Sequence, residues 1–258
     1  MKKGILIYLL FISLIACKKD KQLIEVELPE SNFIEEIKLT NPYGVKTSEG
    51  PFNMKKFAFQ YSDLEPFIDA QTMEIHHSKL HLSYANKLNI AIKETEFKSR
   101  NIEDVLANLN NDDLYLKNNA GGYYNHNLFF EIISNEKNTK PTVEFQKAID
   151  IDFGTFSNMK KQIIDNANDL YGSGWVWIIV DINGKLSIIK TINNENPLMK
   201  STNERGIPIF ALDLWEHAYY LQYNNLKGKY VENIFNIINW KTVSKKYDEA
   251  TAIKYIDE

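Results

Sequence analysis

Asp213 and His217 stand four residues apart inside the stretch Leu212-Asp213-Leu214-Trp215-Glu216-His217-Ala218-Tyr219-Tyr220. That spacing lets an oxygen and a nitrogen ligand converge on one ion. An ion needs more than two ligands, so a chain built around this pair must fold its other donors onto it. Taken alone, the pair also fits an amphipathic helix start with a buried aromatic cluster. The remaining donors decide. The whole chain holds five histidines, His76, His77, His81, His126 and His217, and a single cysteine, Cys17. Three histidines with Asp213 would give an N3O set suited to Fe, Mn or Zn. Its members would come from both halves of the chain, and a bound ion would staple the halves together.

Residues 61–93 predict a helix after a proline-containing start, with Asp69 as its N-cap. On a regular helix His76, Leu80 and Tyr84 share one face. His77 and His81 are also four apart, offset by one residue, so two histidine rows compete. A surface pair is the plain reading of either. Residues 102–109 predict a short helix, and residues 114–133 a second long one. Gly121, Gly122 and His126 lie at the centre of the long one. A glycine inside a helix costs about 1 kcal/mol relative to alanine, so something must approach closely there. Gly122 comes one turn before His126, and the expected beneficiary is that imidazole.

Downstream the pattern changes. Residues 175–180, Trp-Val-Trp-Ile-Ile-Val, read as a strand. Asn183-Gly184 signals a hairpin turn, and residues 185–192 form the partner strand. Residues 207–212 predict a third strand, with Pro208 near its start. Helices are expected at 156–167, at 230–240 and from 241 onward. The fold class is α+β: an N-terminal helical hairpin plus a C-terminal three-stranded antiparallel sheet with flanking helices. The expected domains are a helical-hairpin domain at 56–137 and an α+β metal-binding domain at 138–258.

A net charge of −4 suggests no polyanionic partner, and so no nucleic acid. The N-terminus reads as a signal. Lys2-Lys3 precedes an uncharged apolar run over residues 4–15, too short to span a bilayer. The run ends in Leu14-Ile15-Ala16-Cys17, which resembles a bacterial lipobox. The resemblance implies cleavage before Cys17, acylation of that residue and a lipid-anchored place in the cell envelope, periplasmic or surface-exposed. Residues 18–55, broken by Pro29, Pro42 and Pro51, read as a tether. With Cys17 in the signal, the mature domain has no disulfide and no thiolate ligand.

The residues Asp213-Leu214-Trp215-Glu216-His217-Ala218-Tyr219-Tyr220 resemble the D-x-W-E-H-A-Y-Y signature of iron/manganese superoxide dismutases. The blocks Asp69 through His77, Asn118 through His126, Gly172 through Trp177 and Asn236 through Trp240 are similar to further blocks of that family, in its order. The resemblance implies one Mn or Fe ion per subunit held by His76, His126, Asp213 and His217, with a solvent molecule as fifth ligand. It implies superoxide as substrate. Tyr84 matches the family's gateway tyrosine, and Trp175, Trp177 and Trp215 match aromatics around the site. Glu216 matches a residue that reaches across a dimer interface, which implies a homodimer; Tyr220 belongs to the same link. Gly122 stands where most iron forms carry an outer glutamine, which slightly favours manganese. The position that carries this glutamine in manganese forms is Asn194, one methylene shorter. Leu80 replaces a gateway histidine. These two departures motivate an alternative, a metal-binding protein of the dismutase fold with weak or lost activity.

Overall fold

The computed structural model describes residues 39–253. The expected signal peptide with Cys17, and residues 18–38 of the expected tether, lie outside the described residues.

Strand β1 (Gly174–Val180) is apolar along its length, and all of its residues are buried. Such a strand needs cover on both faces and a partner at each edge. It lies at the centre of a three-stranded antiparallel sheet of order β2–β1–β3, with β2 at Leu186–Ile192 and β3 at Ile207–Asp213. The β1–β2 register runs from Gly174 opposite Ile192 to Val180 opposite Leu186. The expected turn joins them, with Gly184 at φ 79°. On the other edge Trp175 faces Asp213, and the register shifts between Ile178 and Ile179 beside Pro208. A bulge at an edge strand is where a residue without an N–H is tolerated.

The first half is a helical rod packed against a long helix. The rod comprises α1 (Ala70–Glu74), a π-helical segment (Ile75–His81) and α2 (Leu82–Ile92). Asp69 caps it, accepting from the Thr72 N–H at 2.8 Å. Residues 61–69, expected to be helical, form only a 3-10 turn at Tyr61–Leu64 before the chain extends at Glu65. Pro66 follows, and the residue before a proline is pushed out of the helical region. The π-helical segment is the larger correction. Its wider turn sends the Leu82 N–H to the His77 carbonyl, five residues back. His76, His77, Ser78 and His81 are therefore all buried, while Leu80 is half-buried. The predicted surface pair of His77 and His81 is a buried pair.

Helix α3 (Ile102–Asn108) leads to α4 (Leu114–Ile132), the long helix of the hairpin. Next comes a helix absent from the sequence reading, α5 (Val143–Phe153). Its signals are a Thr142 cap and Gly154 at φ 80° as the stop. Helix α6 (Phe156–Asp169) precedes the sheet. After it come α7 (Tyr220–Tyr223), α8 (Lys227–Ile234) and α9 (Trp240–Ile253). The helix expected at 230–240 ends at Ile234, because the Asn239 side chain caps the next one through the N–H groups of Lys241 and Thr242.

Residues 39–55 are not a free tether. Phe52 sits in a core with Leu88, Val105, Leu116 and Tyr123. The Asn89 side chain exchanges two 3.0 Å hydrogen bonds with the Phe52 backbone, and Thr40 bonds to Glu74. Lys55 pairs with Glu131 of α4, which also takes Lys246 of α9 at 2.9 Å. Burial pushes the Glu131 carboxyl up, but hydrogen bonds and charge from Lys246 and Lys55 outweigh it and hold the carboxyl below its ordinary value.

A depressed carboxylate contributes stability above its unfolded pKa and loses it as pH falls through the folded pKa. Glu131→Gln should therefore lower unfolding free energy by about 1 kcal/mol at pH 7. The difference should shrink as pH falls below about 4, the ordinary glutamate range, and vanish only once Glu131 is protonated in the folded protein as well. Urea melts of both proteins across this range check it, and a pH-independent difference would contradict it.

Candidate metal centre

Four side chains, each from a different element of the fold, meet between the hairpin and the sheet. His76 comes from the π-helical segment, His126 from α4, and Asp213 from the last position of β3. His217 lies on a 3-10 turn, Glu216–Ala218. The four-residue spacing of Asp213 and His217 is thus not helical: a strand end and a tight turn bring the pair together. One donor atom from each residue lies within 4.8 Å of all the others. The distances to Asp213 Oδ2 are 3.0 Å from His76 Nε2, 3.2 Å from His217 Nε2 and 3.6 Å from His126 Nε2.

Hydrogen bonding accounts for only part of this convergence: His217 Nε2 pairs with Asp213 Oδ2 at 3.2 Å. His76 Nε2 and His126 Nε2 are buried without a hydrogen-bond partner, despite their closeness to the carboxylate. The tautomer of His126 follows from its other nitrogen. Nδ1 lies 2.6 Å from the Gly122 carbonyl, which can only accept, so Nδ1 carries the proton and Nε2 offers its lone pair inward. Burial lowers the pKa of His76 and pushes that of His126 far down, so both rings are neutral. Burial alone would raise the Asp213 carboxyl, but the charge and hydrogen bond of His217 hold it well below the usual range. Asp213 Oδ1 accepts from the Trp215 N–H at 2.8 Å, which leaves Oδ2 for the centre. Orphaned imidazole lone pairs around one buried carboxylate fit a cation, and three nitrogens with one oxygen fit Mn, Fe or Zn.

Comparison with known proteins agrees. The family model for the alpha-hairpin domain of iron/manganese superoxide dismutases matches residues 51–134, and that for their C-terminal domain matches residues 141–246. "Superoxide dismutase [Mn] 1" of Leptolyngbya boryana is 39% identical over 208 residues, covering 79% of this chain and 83% of that protein. The chain belongs to the iron/manganese superoxide dismutase family.

The remaining residues that the family resemblance singles out take distinct places. Trp175 is fully buried, with its ring edge-on to His126 at 5.1 Å. Trp177 lies one layer back, 5.8 Å from Trp175, and donates to Thr191 Oγ1 at 2.9 Å. Trp215 covers His217 at 5.7 Å and donates to the Asn193 carbonyl. Glu216 and Tyr220 are exposed in the single chain. Tyr84 lies 5.2 Å from the His126 ring. Burial raises its phenol pKa, with an opposing hydrogen bond from the Asn194 side chain. Asn194 follows β2 in a turn rather than lying in the sheet, and donates to Asn118 Oδ1 at 3.0 Å.

The space freed by Gly122 is taken by Tyr84 and not by His126. A Cβ at Gly122 would meet the Tyr84 ring at 2.5 Å, and one at Gly121 would meet the Asn194 carbonyl at 2.0 Å. Two supports were only partly legible in the sequence, which offers Phe129 as a packing residue and His81 as a histidine outside the donor set but not the rings they cover. Phe129 stacks on His76 at 5.3 Å, and His81 stacks on His126 at 5.6 Å. The apolar pair Phe129-Phe130 one turn past His126 was the available signal for the first. The second needs the π-helical register, which periodicity cannot give.

Alanine in place of either glycine gains up to about 1 kcal/mol of helix propensity. Both variants should nevertheless be destabilised, by about 1–3 kcal/mol. Gly121→Ala should suffer more, because its obstacle is backbone. Thermal melts check this; a stabilised Gly122→Ala protein would contradict the assigned contact with Tyr84.

Proposed function

We propose that the protein is a superoxide dismutase that converts two superoxide anions and two protons to O2 and H2O2. The observation that carries the proposal is the buried set of four converging donors with orphaned imidazole nitrogens. His76, His126, Asp213 and His217 would hold one manganese or iron ion. When bound, the ion supplies one-electron oxidation and reduction. Manganese is favoured because Gly122 and its neighbour leave the helix side to Tyr84 and Asn194, and because the similar Leptolyngbya boryana protein is named for manganese.

The chain's own residues do the rest. Neutral imidazoles and one carboxylate leave a bound cation with net positive charge, which attracts a small anion. Trp175, Phe129 and Phe130 keep the far side dry. Tyr84 retains its phenolic proton at neutral pH, since burial raises its pKa, and stands on the approach to His126 as a donor. Asn194 is the outer amide on the same side. Glu216 and Tyr220, exposed beside His217, support a homodimer that closes over the site. One observation favours the alternative of weak turnover: Asn194 commits one N–H to Asn118. Placement in the cell envelope through a lipid on Cys17 is supported by Lys2-Lys3, the apolar run and Leu14-Ile15-Ala16-Cys17.

Purified protein should contain close to one Mn or Fe per chain and dismutate superoxide, and Asp213→Ala should lose both properties. Full metal occupancy without dismutation would favour the alternative, and zinc as the sole native metal would contradict the proposal. Cys17→Ser should move the protein from the membrane to the soluble fraction of fractionated cells; an unchanged distribution would remove the lipid anchor.

A further inference from the structure

The loop after β2 is fastened to α4 at consecutive positions. Glu195 Oε1 takes Lys117 Nζ at 2.9 Å, and its neighbour Asn194 donates to Asn118 Oδ1 at 3.0 Å. Further along α4, the Asn196 and Asn125 side-chain amides lie 2.8 Å apart. Gly121 lets the Asn194 carbonyl come against the helix backbone. Within the loop, the Glu195 N–H returns to the Ile192 carbonyl at 3.0 Å, and Asn193 adopts φ 50°. Thr191 Oγ1 donates to the Glu195 carbonyl at 2.8 Å. Asn194 thus sits at the tip of a tight turn whose only ion pair to the helix is Lys117–Glu195 among the described residues. Both partners are largely withdrawn from water, with side-chain exposures of 17% and 28%, so the pair is less screened than a surface one.

The position of Asn194 matters because it is the amide beside Tyr84. Its Oδ1 is buried without a hydrogen-bond partner, so the side chain is not anchored by its own full set of bonds. A short side chain depends on its backbone for reach. We propose that Lys117 and Glu195 are positioning residues: their ion pair presses the Asn194 turn against α4 and so sets the distance between the Asn194 amide, Tyr84 and the metal centre. This rests on the proposed role of Asn194 as the outer amide of a redox-active ion.

The test is the reduction potential of the metal-loaded protein, followed by mediated redox titration, in Lys117→Met, Glu195→Ala and the exchanged pair Lys117→Glu with Glu195→Lys. Removing either partner frees the same turn, so both single variants should shift the potential in the same direction, and the exchanged pair should return it toward the starting value. If the two charges acted only through their field, the single variants would shift it in opposite directions, which would overturn the inference. Unchanged potentials in both single variants would also overturn it. Melting curves of each variant show whether the fold is kept. Should the starting protein hold no redox-active ion, the functional proposal fails and the inference falls with it; opposite shifts sink the inference alone.

Discussion

The buried carboxylate of Asp213 draws three imidazoles around one oxygen, and the rest of the structure keeps that gathering in place. An ionised carboxylate in a dry interior is costly unless it is paired or coordinates a cation. Here it is paired only in part. His217 partners it, while His76 and His126 approach with nitrogens that make no hydrogen bond. Each element that reaches the centre is fixed elsewhere. Strand β3 is paired to β1 up to Asp213, α4 is held by Glu131 between Lys55 and Lys246, and the rod is capped by Asp69. The centre joins the halves of the chain, and burying it against Trp175 and Phe129 gives the sheet and the hairpin a shared surface.

Much of this was legible in the sequence because it rests on local chemistry. The all-apolar β1 and the Asn183-Gly184 turn fixed the sheet, and the Asp213–His217 spacing with only two other histidine-bearing segments pointed to the donors. What was not legible depends on tertiary contact. The π-helical segment places His81 inside, although its spacing from His77 is that of a regular helix. Gly122 was read as making room for His126, but the ring that fills the space is Tyr84, from another helix. Helix α5 was passed over because its cap, Thr142, directly follows a proline that read as linker. Residues 39–55 looked like a tether because prolines and glycines break them, yet Asn89 gives the Phe52 backbone both of the bonds that a neighbouring strand would supply.

The four donors and their dry backing are in place, whereas Asn194 and Leu80 depart from the residues that the family resemblance would put there. Asn194 is short, and it is served by a turn strapped to α4 through Lys117, Asn118 and Asn125. If Asn194 is the outer amide proposed above, its reach toward the centre is set by the placement of this turn as well as by the length of its side chain.

The central claim is that these four side chains hold one redox-active ion. Crystals of the protein purified from its own host, with anomalous diffraction measured on either side of the manganese and iron absorption edges, test it most directly. The account predicts a single peak enclosed by His76, His126, Asp213 and His217, showing the edge of manganese or iron. Absence of a peak there, with the imidazoles turned to hydrogen-bond one another or Asp213, would contradict it.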